Sequence, residues 1–275
     1  MAAPASNLVL RFATAAVGIP VILLLLYPAP PWAFYLLVLA ASLIGARELF
    51  AMTHSDDVPA QWAGVVVSAV TSLAVYLFPA DSRVILTVVI AVPAIGPVVT
   101  LARIGTIETA ALRACALGFG PLFVVVPLTL LAVMKKTLGE AGPGSVVLAL
   151  GLAWMGDSVA YFAGRFLGSH KLYEAVSPKK TVEGAIGGLV GSVAWAAIGS
   201  AWFLRGVLPL SHAVLLALPA GVLGQTGDLA ESLLKRSTGV KDSGAIVPGH
   251  GGVLDRVDAV IMTTAVVFLY MLWKR

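Results

Sequence analysis

The sequence is poor in cysteine and in charge. Cys115 is the single cysteine among 275 residues, so the chain cannot be a small fold held by internal disulfides. Only 12% of the residues are charged, whereas an average soluble domain is about 25% charged. With 59% hydrophobic residues, the chain cannot be intrinsically disordered, and a water-soluble fold would expose large apolar patches. The composition therefore predicts a polytopic membrane protein.

Basic residues exceed acidic ones but do not form long runs. The net charge is +4, and no run of four or more Lys or Arg is present. Membrane proteins concentrate Lys and Arg in their cytoplasmic loops, so a basic excess is expected without any nucleic-acid patch. We expect no nucleic-acid partner.

Nine stretches of the length that crosses a bilayer, about 20 mostly apolar residues, divide the chain. They cover residues 8–27, 32–52, 62–79, 83–102, 111–134, 144–167, 182–204, 210–231 and 254–273. We therefore predict an all-α fold, a polytopic bundle of about nine transmembrane helices. The longest polar segments are 168–181 and 232–253, and long loops in compact proteins are usually functional.

The distribution of Lys and Arg predicts the orientation of these helices. If both long polar segments face the cytosol, 12 of the 18 basic residues lie inside and 6 lie outside. Because cytoplasmic loops carry an excess of basic residues, this arrangement is favoured. We expect a multi-pass protein with its polar loops in the cytosol.

Four aspartates lie inside or at the ends of apolar stretches, where a charge costs at least about 2.5–3.5 kcal/mol. They are Asp157, Asp228, Asp255 and Asp258. Asp255 and Asp258 are three positions apart and share one helix face. Mg²⁺ prefers one or two protein carboxylates together with phosphate oxygens and water, so such a set can hold this ion. Salt bridges inside the membrane are the alternative interpretation.

Two polar segments combine basic residues with glycine. The first contains Ser177, Lys179, Lys180, Thr181 and Glu183, just before an apolar stretch where the N–H groups of a helix N-terminus favour anions. The second contains Lys235, Arg236, Lys241, Asp242, His250, Gly251 and Gly252. Both can bind phosphates, and His250 can donate to a phosphate or carry a proton. The alternatives are anchoring of the lysines to anionic head groups and helix packing through the glycines.

The arrangement of these residues resembles a known enzyme family. Most of the resemblance lies in the stretch Ser232-Leu-Leu-Lys235-Arg236-x4-Lys241-Asp242-x-Gly244-x3-Pro248-x-His250-Gly251-Gly252-x2-Asp255-Arg256-x-Asp258. This stretch is similar to the signature of the phosphatidate cytidylyltransferases, or CDP-diacylglycerol synthases. The stretches 157–168, 177–184 and 227–232 fit the same family. Ser243 departs from it, since an aromatic residue is common there. The resemblance covers residues 157–258, whereas the first 150 residues share only their apolar character.

The resemblance implies that CTP and phosphatidate react to give CDP-diacylglycerol and pyrophosphate, in phospholipid biosynthesis. It also implies a bacterial inner-membrane location, a homodimer and Mg²⁺ in a paired-metal site with a second cation, held by Asp228 and Asp255. The catalytic residues would be Asp228, Asp255, Lys235, Arg236, Lys241, His250 and Arg256. The substrate-binding residues would be Asp157, Ser177, Lys179, Lys180, Thr181, Glu183, Lys241, Asp242, Gly251, Gly252 and Asp258.

On this interpretation the chain has two functional parts. Residues 1–140 would be structural, lipid-facing helices that can also carry a dimer contact, and residues 141–275 would be catalytic. A CTP-dependent polyprenol or other lipid kinase and a related CDP-lipid synthase stay open as alternatives. A cation or secondary transporter would also carry intramembrane carboxylates, but it would not need two basic, glycine-rich cytosolic loops.

Overall fold

Apolar helices account for most of the structure. The computed structural model describes residues 16–246 and 251–274. Its helices are α1 (Ala16–Leu26), α2 (Pro31–Thr53), α3 (Val58–Leu77), α4 (Ser82–Ala102), α5 (Ile107–Gly120), α6 (Val126–Thr137), α7 (Ala141–Leu167), α8 (Val182–Ala201), α9 (Leu210–Ser237) and α10 (Leu254–Trp273). A π-helical turn, Pro121–Val125, joins α5 to α6.

Eight helical segments of the described chain are long and apolar enough to cross a membrane. They are α2, α3, α4, the continuous segment Ile107–Thr137, α7, α8, α9 and α10. The protein is therefore a multi-pass integral membrane protein, which confirms the predicted fold class. The first predicted stretch, 8–27, lies partly outside the described residues, and its described part forms the shorter helix α1.

The two long polar segments are more regular than loops. Segment 168–181 contains two short antiparallel strands, β1 (Lys171–Tyr173) and β2 (Ser177–Thr181). Segment 232–253 begins inside α9, which continues to Ser237. Lys235 and Arg236 stand in the last turn of α9, where cations favour the negative end of the helix dipole. Lys235 also pairs with Glu231 one turn earlier, which supports the helix there.

The described chain divides into two compact units. The first comprises residues 16–133, 242–246 and 251–256, and the second comprises residues 134–241 and 257–274. The division predicted from the sequence was one of roles, with residues 1–140 structural and residues 141–275 catalytic. These roles stay predictions.

Hydroxyl groups link the helices of the first unit. The ring of Tyr35 in α2 stacks on that of Tyr76 in α3, with centroids 3.8 Å apart. The hydroxyl of Ser72 lies 3.4 Å from that of Tyr35 and 2.8 Å from that of Thr129 in α6. Hydroxyl contacts of this kind hold membrane helices together, because apolar burial gives little driving force between helices in lipid.

Small residues bring the helices of the second unit close together. A Cβ atom added at Gly184 in α8 would lie 2.9 Å from the backbone oxygen of Ala160 in α7. A Cβ atom at Gly156 would lie 2.9 Å from the hydroxyl oxygen of Ser192. Glycine at both positions therefore permits the approach of α7 and α8. This packing fixes the base of the β1–β2 hairpin, which connects the two helices.

Candidate active site

The β1–β2 hairpin of the second unit presents the first basic segment. Lys171 pairs with Thr181, and Tyr173 pairs with Ser177. Thr181 ends β2 and caps α8, because its hydroxyl oxygen accepts a hydrogen bond from the backbone N–H of Gly184 at 3.1 Å. The hairpin therefore holds Lys179 and Lys180 immediately before a capped helix N-terminus.

The carboxylate of Glu183 fastens the start of this hairpin. It accepts hydrogen bonds from the backbone N–H of Ser169 at 3.1 Å and from that of His170 at 3.3 Å. The Nδ1 atom of His170 lies 2.6 Å from Glu183 Oε1. These contacts support a role for Glu183 in shaping the segment, and its predicted contact with substrate stays a prediction.

Lys180 and Asp228 form an ion pair between the hairpin and α9. The Lys180 Nζ atom lies 2.5 Å from Asp228 Oδ2. About a quarter of each side chain is exposed, 27% for Lys180 and 26% for Asp228. The Ser232 hydroxyl donates to the other carboxylate oxygen at 3.4 Å. Asp228 is thus a partly open carboxylate that already accepts a cation.

Further charged groups of the second unit surround this pair. Asp258 interacts electrostatically with Asp228 and Lys180, and Glu231 follows Asp228 by three positions along α9. Lys235 Nζ lies 3.2 Å from Glu231 Oε1, and both side chains are largely buried. Three carboxylates and two ammonium groups therefore lie in one cluster of this unit. Such an array can bind metal cations and phosphate oxygens side by side.

A small cleft lies among the helices of the second unit. Its polar lining comes from Asp157, Ser192, Gln225 and Thr263. Two of these side chains are held by backbone oxygens, since Ser192 donates to Leu152 and Thr263 donates to Ala149. The exposed residue Asp157 therefore lines a mostly apolar cleft that contains a few polar groups.

Other predicted basic residues differ in their exposure. Arg236 donates through Nε to the backbone oxygen of Val176 at 3.4 Å and so contacts the hairpin turn. Lys179, Lys241 and Arg256 are exposed. His250 lies outside the described residues. The structure thus brings Lys180, Lys235, Asp228 and Asp258 together.

The remaining predicted residues belong to the first unit. Asp255 stands in the first turn of α10, and its Oδ2 atom accepts hydrogen bonds from the backbone N–H of Ser243 at 3.1 Å and of Gly252 at 2.9 Å. Gly251 has a φ of +85°, a conformation that favours glycine. Asp242 is exposed on the same segment. Asp255 therefore organises the backbone around it.

Glu48 is a charged residue of the first unit that was not predicted from the sequence. It lies in α2 with 5% of its surface exposed. Its carboxylate accepts hydrogen bonds from the Ser243 hydroxyl and from the backbone N–H groups of Val253 and Leu254. A glutamate within the apolar stretch 32–52 is the signal that could have identified it, since charges inside the membrane need a partner.

A comparison with known protein families decides the classification. The model of the cytidylyltransferase family matches residues 9–273, nearly the whole chain. The chain belongs to the cytidylyltransferase family. The match includes residues 9–150, where the sequence showed only apolar stretches, so the family extends over both units.

Several relatives of this cytidylyltransferase family member carry the name phosphatidate cytidylyltransferase. The protein from Bacillus subtilis is 44% identical over 139 residues, which are 50% of this chain and 50% of the relative. The protein from Synechocystis is 42% identical over 125 residues, 46% of this chain and 42% of the relative. That from Brucella abortus is 43% identical over 127 residues, 46% of each chain. The chain thus spans about half the length of the curated relatives it matches.

The carboxylates of this family member are compatible with Mg²⁺. Within residues 16–246 and 251–274, no group of three or more His, Cys, Asp or Glu side chains is arranged to hold a metal by itself. Mg²⁺ does not need such a cage at phosphate sites, because it takes one or two carboxylates and fills its other positions with phosphate oxygens and water. Asp228, beside Asp258 and already bound to an ammonium group, fits this requirement.

Proposed function

We propose that the protein is a phosphatidate cytidylyltransferase, which converts CTP and phosphatidate to CDP-diacylglycerol and pyrophosphate. The observation that carries this proposal is the charged cluster around Lys180 and Asp228 in a member of the cytidylyltransferase family. Relatives named phosphatidate cytidylyltransferase support the choice of lipid substrate. Both substrates are polyanions, which suits a site that combines ammonium groups with carboxylates that can bind metal.

In the proposed reaction an oxygen of the lipid phosphate attacks the α-phosphorus of CTP. The new P–O bond forms as the bond between the α-phosphorus and the bridging oxygen to the β-phosphate breaks, and pyrophosphate leaves with that electron pair. The second pKa of a phosphate monoester is about 6, so the nucleophile is already deprotonated near neutral pH. The protein then needs no dedicated general base. Its task is to align two anions and to offset their charge.

The basic residues supply part of this charge. Lys180 and Lys235 are held by carboxylates within the cluster, so their ammonium groups are fixed near the site where phosphates would bind. Lys179, Lys241 and Arg256 are exposed, and we propose that they contact phosphate groups from the solvent side. Arg236 donates a hydrogen bond to the backbone oxygen of Val176 in the hairpin turn and so supports the position of Lys179 and Lys180.

We propose Asp228 and Asp255 as metal ligands, with Asp258 as a neighbour of the first. Asp228 contributes a partly open carboxylate, and Asp255 contributes a carboxylate oriented by two backbone N–H groups. Mg²⁺ and a second cation, when bound, would neutralise phosphate charge and align the displacement. Asp157 and Glu183 are proposed to contact substrate or the segments that bind it.

The location of the substrates gives the proposed setting. A lipid phosphate lies at the head-group plane, and CTP is dissolved in the cytosol. We propose that the protein spans the bacterial inner membrane with its active site facing the cytosol, and that it forms a homodimer. The predicted excess of basic residues on the inside supports the orientation.

The experiment uses purified protein in detergent with phosphatidate, Mg²⁺ and CTP labelled with ³²P at the α position. The proposal predicts metal-dependent label in CDP-diacylglycerol and an equal amount of pyrophosphate. A parallel reaction with γ-labelled CTP should leave the lipid unlabelled. Label transferred from the γ position would identify a kinase that acts on phosphatidate instead, and a folded sample that forms no CDP-diacylglycerol would contradict the proposal.

Two variants make this assay specific for the site. Asp228→Asn removes the charge of the proposed metal ligand and should reduce product formation by roughly 100-fold or more. Arg205→Gln removes an exposed charge elsewhere in the second unit and should retain the activity of the wild type. Equal activity of the two variants would contradict the role proposed for Asp228.

A further inference from the structure

The carboxylate of Glu48 is buried within an apolar helix of the first unit. Only 5% of the residue is exposed, and it is neighboured along α2 by the buried residues Leu49 and Phe50. A charged side chain in such a place destabilises the fold unless hydrogen bonds satisfy it. The contacts of Glu48 therefore indicate what it does.

Glu48 accepts hydrogen bonds from the segment that leads into α10. Its Oε2 atom accepts from the Ser243 hydroxyl at 3.1 Å and from the Leu254 backbone N–H at 2.8 Å. Its Oε1 atom accepts from the Val253 backbone N–H at 3.1 Å. The carboxylate thus caps the N-terminus of α10 from another helix, and it holds residues 243 and 253–254 together.

Glycines give this carboxylate its space. A Cβ atom at Gly252 would lie 2.6 Å from Glu48 Oε2, and one at Gly244 would collide with Glu48 Oε1. Backbone from both ends of the segment therefore approaches Glu48 more closely than any other residue type allows. The same glycines belong to the motif that resembles the family, so the motif and Glu48 form one packed arrangement.

Asp255 is held by the same two stretches of backbone. Its Oδ2 atom accepts hydrogen bonds from the backbone N–H groups of Ser243 and Gly252. Glu48 binds the hydroxyl of the same Ser243, and it binds the backbone of Val253, which follows Gly252. Glu48 and Asp255 do not share a donor atom, but they fix the same pieces of chain from two sides. A displacement of this backbone would therefore move Asp255.

We propose that Glu48 is a positioning residue, which fixes the segment around Asp255 so that the Asp255 carboxylate keeps its orientation. It acts through backbone N–H groups and the Ser243 hydroxyl, not by contact with substrate. Its effect on catalysis rests on the proposed function, because only then is Asp255 a ligand in the active site. Its effect on the segment does not depend on that function.

The test measures amide hydrogen exchange by mass spectrometry on the full chain in detergent, comparing wild type with Glu48→Gln. Glutamine has nearly the same size as glutamate, but its side chain has one acceptor oxygen for the three donors that Glu48 binds. Its NH₂ group would face donors instead of accepting hydrogen bonds from them. We expect faster exchange at Val253 and Leu254, by roughly tenfold or more, with unchanged exchange in α7 and α8. Unchanged exchange at Val253 and Leu254, or an equal rise in every helix, would overturn the proposal.

Two further variants separate this role from general destabilisation. Tyr35→Phe removes a buried hydroxyl from the same helix and leaves the Glu48 contacts in place, so exchange at Val253 and Leu254 should not change. Ser243→Ala removes one of the three hydrogen bonds and should raise this exchange by less than Glu48→Gln does. If Glu48→Gln fails to fold, an unchanged exchange rate in Ser243→Ala would still contradict the proposal.

The catalytic consequence is measured separately. If wild type forms CDP-diacylglycerol, Glu48→Gln should lower kcat by roughly tenfold and raise the Mg²⁺ concentration for half-maximal activity, with little change in KM for CTP. A rise in KM for CTP at unchanged kcat would contradict the positioning of Asp255. If wild type forms no product, the proposed function fails, and the exchange experiment alone decides whether Glu48 holds the segment.

Discussion

The Lys180 ammonium group lies 2.5 Å from the Asp228 carboxylate, so the β1–β2 hairpin and α9 are joined by an ion pair. Both side chains are about three-quarters buried. This pair keeps a positive charge beside the carboxylate that we propose as a metal ligand. Incoming phosphate oxygens would therefore meet an ammonium group that Asp228 already orients.

The first prediction compares the two neighbouring lysines of the hairpin. Lys180→Met removes the charge that is fixed beside Asp228, so kcat/KM for CTP should fall by roughly 100-fold. Lys179→Met removes an exposed charge of the same kind, and its effect should be less than about tenfold. Steady-state kinetics with purified variants measure both. An equal loss of kcat/KM in the two variants would show that the ion pair between Lys180 and Asp228 does not contribute to catalysis.

The second prediction concerns the pH dependence of stability. Burial of the His54 imidazole, together with the nearby positive charge of Arg113, lowers its pKa from 6.5 to about 4, although Asp57 opposes this effect. Between these values the unfolded chain binds a proton at His54 and the folded chain does not. Stability should therefore fall as the pH drops from about 6.5 to about 4, by at most about 3 kcal/mol from this group.

Thermal unfolding in detergent across that pH range measures this contribution. His54→Gln removes the titrating group, so its unfolding midpoint should depend less steeply on pH than that of wild type. Gly18→Ala changes no titratable group and should leave the wild-type slope in place. An identical slope in wild type and His54→Gln would show that His54 does not contribute.

The third prediction concerns the packing of α7 against α8. Gly184→Ala places a methyl group 2.9 Å from the backbone oxygen of Ala160, and backbone cannot turn aside as a flexible side chain can. The variant should lose about 1–3 kcal/mol of stability. Gly18→Ala in α1 is the control, because a Cβ atom there meets no other atom within 4 Å. The unfolding midpoint should fall for Gly184→Ala alone, and equal midpoints would contradict the close packing.

The membrane helices were predictable because crossing a bilayer requires a continuous apolar stretch, which is a local property. The predicted stretch 83–102 corresponds to α4, Ser82–Ala102, and the predicted stretch 182–204 corresponds to α8, Val182–Ala201. The β1–β2 hairpin was not predicted. Its strands have three and five residues, too short for a pattern of alternating polarity to stand out.

The members of the candidate site were easier to predict than their contacts. Asp228 and Lys180 were each identified from the sequence, but their pairing depends on how the hairpin lies against α9. Glu48 was missed because its partners follow almost 200 positions later, from Ser243 onward. Such contacts arise from helix packing and leave no local pattern.

The most direct measurement follows oxygen atoms through the reaction. Phosphatidate whose phosphate carries ¹⁸O should react with unlabelled CTP in the presence of the protein and Mg²⁺, and mass spectrometry of both products locates the label. If the lipid phosphate attacks the α-phosphorus, all ¹⁸O appears in CDP-diacylglycerol, and the pyrophosphate contains none. Pyrophosphate that carries ¹⁸O, or a folded protein that forms no CDP-diacylglycerol, would contradict the proposed function.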